Sequence, residues 1–72
     1  MERYTFAVLI ERDEDGMFVA TVPSLKGCHT QATTIKELED RIKEAILLCL
    51  DEQKDVPQYT FIGAHQLEVT RQ

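Results

Sequence analysis

Glu11, Asp13, Glu14 and Asp15 crowd four carboxylates into five positions, the densest set of potential metal ligands or acid–base groups in the chain. Asp13-Glu14-Asp15-Gly16 has the Asp-x-Asp-Gly opening of a calcium loop, but the further ligands and the terminal glutamate are missing. A solvated turn between two strands explains the same residues, because Asp supplies a side-chain acceptor and Gly a positive φ. His29 and His65 are the only histidines. A catalytic histidine needs a positioned partner, and Cys28, the sequence neighbour of His29, should point to the opposite face of a strand. Ser24, the only serine, lies in a Pro-Ser-Leu turn without a Gly-x-Ser-x-Gly elbow. Three widely spaced glycines cannot build a phosphate loop. Tyr4, Phe6, Phe18, Tyr59 and Phe61 lack interleaved Lys or Arg and read as core residues rather than a nucleic-acid platform. No catalytic residue, cofactor site or metal site is assigned.

The elements that would position these groups follow from period and punctuation. Residues 4–11 alternate, with Tyr4, Phe6, Val8 and Ile10 on one face and Thr5, Ala7, Leu9 and Glu11 on the other. The polar stretch Arg12 to Gly16 is a hairpin turn, and Met17 to Val22 forms the return strand. Pro23 has no N–H for a ladder and ends it. Gly27 supplies a positive φ or a bulge, and Cys28 to Ala32 is a third antiparallel strand. Thr34-Ile35-Lys36-Glu37 fits a capping box, from which a helix runs to about Gln53. Ile35, Leu38, Ile42, Ala45, Ile46 and Cys49 make its buried stripe, and Glu37–Arg41 and Glu39–Lys43 make favourable i,i+4 pairs. Asp55-Val56-Pro57 stops the helix, and His65 to Thr70 alternates as a fourth strand with Leu67 and Val69 inward.

This order, βββαβ, predicts an α+β fold: a single antiparallel sheet with one long helix, and residues 1–72 as one domain. The helix can cover only one sheet face. The other, expected to carry Thr5, Ala7, Leu9, Met17 and Val19, is half apolar and has no cover. Ala45 to Leu50 is apolar all round, so that Leu47 points away from the main stripe. A fold-back of Val56, Pro57, Tyr59, Phe61 and Ile62 over that flank is one solution, and a second buried contact is the other. Small domains often need a disulfide, a metal or an oligomer partner. Cys28 and Cys49 lack C-x-x-C spacing and read as reduced buried thiols, which leaves self-association, with the last strand a candidate for pairing between subunits.

The net charge is −5, from 13 acidic and 8 basic side chains. This balance opposes direct nucleic-acid binding and suits a basic protein partner. No basic segment leads an apolar run at the N-terminus, and the longest apolar run, Ala45 to Leu50, is far short of the ~20 residues of a membrane helix. A cytoplasmic protein without membrane contact is expected.

The stretch Ala20-Thr21-Val22-Pro23-Ser24-Leu25-Lys26-Gly27-Cys28-His29-Thr30-Gln31-Ala32-Thr33-Thr34 resembles the hallmark of the HicB family of antitoxins. Its pattern is a strand, then Val-Pro-x-Leu-x-Gly-Cys-x-Thr, then a Glu/Ala-rich helix. The Asp-Glu-Asp-Gly hairpin, Lys43-Glu44-Ala45-Ile46 and Val56-Pro57 also match, so that the likeness spans about residues 3–70. Ala32 stands where the family often has glycine. The resemblance implies a partial ribonuclease H-like fold without its metal-binding carboxylates. It also implies a non-enzymatic antitoxin that binds and neutralises a HicA-type mRNA-cleaving toxin, and assembly as a dimer or tetramer. Many family members carry a C-terminal DNA-binding domain, and a chain stopping at Gln72 is expected to lack it. On this reading Asp13, Glu14 and Asp15 are candidates for steering the partner, and Leu47 for an apolar contact between subunits. The competing readings are a solitary adaptor domain without a toxin, and a residual metal-dependent nuclease using Glu11, Asp13 and Asp15.

Overall fold

Two turns of different construction organise the sheet. In the first, the Asp13 N–H donates to the Met17 carbonyl (2.9 Å) and the Gly16 N–H to the Asp13 carbonyl (3.1 Å). Gly16 takes φ 83°, the left-handed region that L side chains avoid. In the second, the Leu25 N–H donates to the Val22 carbonyl (3.1 Å) and the Cys28 N–H to the Leu25 carbonyl (3.2 Å). Pro23 follows Val22 at the turn position where its fixed φ is preset, and Gly27 takes φ 71°. The Val22 N–H, donating to the Cys28 carbonyl at 2.9 Å, closes this double turn at its base.

The computed structural model describes residues 3–53, 55–56 and 58–71. Its elements are β1 (Leu9–Arg12), β2 (Phe18–Thr21), β3 (His29–Ala32) and α1 (Ile35–Glu52). The sheet is antiparallel in the order β1-β2-β3. Ile10 stands opposite Ala20, and Ala20 opposite Thr30; Leu9 stands opposite Thr21, and Thr21 opposite His29. Because side chains alternate along each strand, Ala20, Val22, Cys28 and Ala32 turn to the helix and are buried with Leu25, Leu38 and Ile42. Phe6, Val8, Phe18, Ala45, Ile46, Cys49, Leu50 and Val56 pack around them. The open face of the sheet carries Leu9, Glu11, Val19, Thr21, His29 and Gln31. The predicted α+β class with one antiparallel sheet and one long helix is therefore found, with three strands in the sheet.

The helix starts where its cap residue dictates. The Glu37 N–H donates to the Thr34 hydroxyl at 3.2 Å, satisfying one of the N-terminal donors a helix leaves open. The Glu37 carboxylate lies 2.6 Å from Arg41, whose guanidinium also donates to the Gln31 carbonyl at 2.9 Å. One side chain thus ties the second turn of α1 to β3. At the far end the Gln53 side chain donates to the Lys26 carbonyl at 3.2 Å, pinning the helix to the Pro23–Gly27 turn. The helix lies over β3 and, less extensively, β2, and makes no contact with β1.

Three expectations change. The first strand, predicted over residues 4–11, is Leu9–Arg12. The register sets Leu9 opposite Thr21, beyond which come Val22 and Pro23, so residues 4–8 run past the last rung that β2 can offer. The strand predicted over 65–70 is not formed, and no secondary structure is assigned across the described residues 58–71. Finally, the fold-back over the helix flank does not occur: Val56 packs on the core, but Tyr59, Phe61 and Ile62 stay exposed. Pro57 lies outside the described residues.

Candidate interaction surfaces

The acidic hairpin divides its carboxylates between building the turn and charging its surface. Asp13 Oδ1 accepts from the Asp15 N–H and the Met17 N–H, both at 2.9 Å. It sits at the first position of the turn, where an aspartate replaces a missing backbone acceptor. Glu14 and Asp15 project from the exposed turn tip, and Glu11, on the open sheet face, is exposed as well. All four carboxylates seen in the sequence are therefore exposed, and one of them, Asp13, also organises the turn. Among the described residues, no group of three or more His, Cys, Asp or Glu is placed to hold a metal ion.

The remaining chemical candidates are dispersed. His29 is exposed on the open sheet face while Cys28 is buried beneath the helix, as strand alternation requires. His65 is exposed in the C-terminal segment, and Ser24 is half-buried in the double turn. Cys28 and Cys49 are free thiols brought together where α1 crosses the second turn. Burial, followed by a hydrogen bond and charge interaction with Cys49, pushes the Cys28 thiol up to about 11. A thiol held protonated is a poor nucleophile.

The outer side of α1 is more distinctive. Leu47 is 64% exposed, as its position opposite the buried stripe implies, and Leu48 is equally so. Glu44 and Asp51 lie three or four residues to either side and are exposed too, so apolar and acidic groups share one helical surface. The sequence does not single out Leu48, since it sets only Leu47 apart from the stripe. Leu50 packs against the core. At the ~100° per residue of a helix, Leu48 and Leu50 fall about 110° and about 90° from the middle of the stripe on opposite sides, so the helix period alone does not separate them.

The C-terminal segment adds a second apolar surface. Ile62 is 92%, Leu67 84% and Val69 86% exposed. On β1, Ile10 points to the helix side of the sheet but is 48% exposed, because α1 does not extend over it. Arg12 caps that side of the strand, its guanidinium 4.8 Å from the centre of the Phe18 ring, a cation–π contact. No helix among the described residues is long and apolar enough to cross a membrane.

A UPF0150 protein of Archaeoglobus fulgidus is 55% identical over 64 residues, covering 89% of this chain and 93% of its own length. A UPF0150 protein of Synechocystis is 46% identical over 69 residues, covering 96% of this chain and all of its own. One from Thermotoga maritima is 32% identical over 69 residues, covering 93% and 92%. The family profile described as "HicB_like antitoxin of bacterial toxin-antitoxin system" matches residues 6–70, from the strand preceding the acidic hairpin to the exposed C-terminal segment, and the chain belongs to this family.

Proposed function

We propose that this protein is a non-enzymatic antitoxin that binds a small basic, HicA-type mRNA-cleaving toxin and blocks its activity. The observation that carries the reading is the family match over residues 6–70. The surface suits such a partner. The net charge is −5, Glu14 and Asp15 stand at the exposed hairpin tip, and Glu44 and Asp51 flank exposed Leu47 and Leu48. Opposite fields speed encounter, and the leucines offer the apolar contact that a stable complex needs at its centre. We place the protein in the cytoplasm, where the toxin's messenger RNA substrate is found, as a single domain acting in an oligomer. The order of sheet and helix supports its reading as a partial ribonuclease H-like fold. Glu11, the one strand carboxylate, faces away from the core, which supports a scaffold over a nuclease.

Reconstitution with a small basic protein encoded beside this one tests the proposal. A stoichiometric complex that suppresses cleavage of messenger RNA is expected. Absence of a complex, or a complex in which cleavage continues undiminished, overturns it.

A further inference from the structure

We propose that two copies of the chain exchange their C-terminal segments, residues 65–70 of each adding a strand to the free edge of β1 in the other. The proposal rests on the oligomeric reading above and names its contact surface. His65-Gln66-Leu67-Glu68-Val69-Thr70 alternates as a half-buried strand does, yet every one of these residues is exposed and the segment has no ladder of its own. A strand is stable only with a neighbour to take its N–H and C=O groups.

Of the two sheet edges, β1 is the one that fits. The edge at β3 lies under α1, with Arg41 bonded to the Gln31 carbonyl. The edge at β1 has no helix over it and presents Ile10 on its inner side. A strand added there with Leu67 and Val69 inward would set them beside Ile10, while Gln66, Glu68 and Thr70 join Leu9 and Glu11 on the open face. An unprotected edge is a template for another chain.

The areas identify a second copy as the occupant. A folded chain of 8.3 kDa is expected to expose about 4,600 Å², whereas this one exposes 6639 Å². The excess, about 2,000 Å² per chain, exceeds the ~800 Å² per partner of a standard interface and falls in the range of obligate dimers. The radius of gyration, 14.0 Å, likewise exceeds the ~11 Å of a compact chain of this length. Donor segment and acceptor edge lie on the same chain, so a two-fold axis satisfies both at once and the assembly closes at two.

Light scattering on the purified chain should give twice the 8.3 kDa of one copy. Leu67→Glu with Val69→Glu should halve that mass while the helical circular dichroism persists; Gln66→Glu with Glu68→Gln, on the outward positions, should leave it unchanged. A second measurement is independent of how the acidic variant folds. One tagged copy carries Ile10→Cys and the other Val69→Cys, both with Cys28→Ser and Cys49→Ser, and mild oxidation should link tagged to untagged chain. A monomeric parent chain overturns both the oligomeric reading and the exchange. A dimer that survives the inward double substitution, or thiols that link only when both are placed in one chain, overturns the exchange alone.

Discussion

Asp13 and its neighbours Glu14 and Asp15 should separate by experiment, because of the three only Asp13 accepts the hydrogen bonds that hold the turn. Asp13 Oδ1 accepts two backbone N–H bonds at 2.9 Å. Removing such an acceptor from an exposed turn resembles removing a helix cap, which costs about 1 kcal/mol. At about 2.1 cal/mol/K per residue, 72 residues unfold with an entropy near 0.15 kcal/mol/K, so Asp13→Ala should lower Tm by about 7 °C. Asp13→Asn keeps Oδ1 as a neutral acceptor and should lose less than half of that. Glu14→Gln with Asp15→Asn removes two charges without touching the turn and should shift Tm by less than about 3 °C. Its effect should fall on encounter with a cationic partner. In water a unit pair at about 7 Å is worth about 0.6 kcal/mol, cut by screening to about 0.25 at physiological salt and about 0.5 at 0.01 M. Two such charges then give a roughly twofold slower association at physiological salt and roughly fivefold at low salt. Stopped-flow mixing with the toxin at two ionic strengths, beside a thermal melt of each variant, reads both effects. Equal melting losses for Asp13→Asn and Asp13→Ala would refute the turn role. An association rate indifferent to Glu14→Gln with Asp15→Asn at low salt would refute steering.

Two further outcomes follow from the core. Leu38 is fully buried between α1 and the sheet, so Leu38→Ala should cost about 3 kcal/mol and lower Tm by about 20 °C, read by thermal unfolding monitored by circular dichroism; a loss under about 1 kcal/mol would contradict the packing described. Cys28, held protonated to about 11 against 9.0 for a free thiol, makes the fold sensitive to alkali. The unfolded chain releases this proton first, so the stabilising contribution is whole below pH 9 and is lost as pH rises towards 11. Denaturant titrations should show stability falling across that window in the parent chain and a smaller fall in Cys28→Ala.

What could be read from the sequence is what depends on neighbours along the chain. Pro23 and Gly27 mark their own turn because one presets φ and the other tolerates φ 71°. Thr34 and Glu37 mark the helix start, and Glu37 and Arg41 are in reach at four residues' separation. What could not be read depends on distant geometry. The first strand is shorter than its alternation because β2 runs out opposite it at Thr21. Leu48 and Leu50 are chemically identical, and only the placement of α1 over β3 and β2 decides that one faces solvent while the other packs.

The same distinction bears on the C-terminal segment. Alternation at 65–70 records which side chains a strand would bury, but whether a strand forms depends on a partner edge. In a single chain the helix makes no contact with β1, Ile10 is half uncovered, and Leu67 and Val69 remain in solvent. A protein this small cannot easily offset such exposure with a larger core. On the exchange proposed above, the alternating pattern and the uncovered edge of β1 are two parts of one arrangement. If the second copy completes the sheet at β1, the surfaces left for a toxin are the hairpin tip and the outer side of α1, where Glu44, Leu47, Leu48 and Asp51 stand exposed. Self-association and toxin binding then use separate faces, so the Leu67 and Val69 substitutions should halve the mass of the antitoxin while leaving each monomer able to bind.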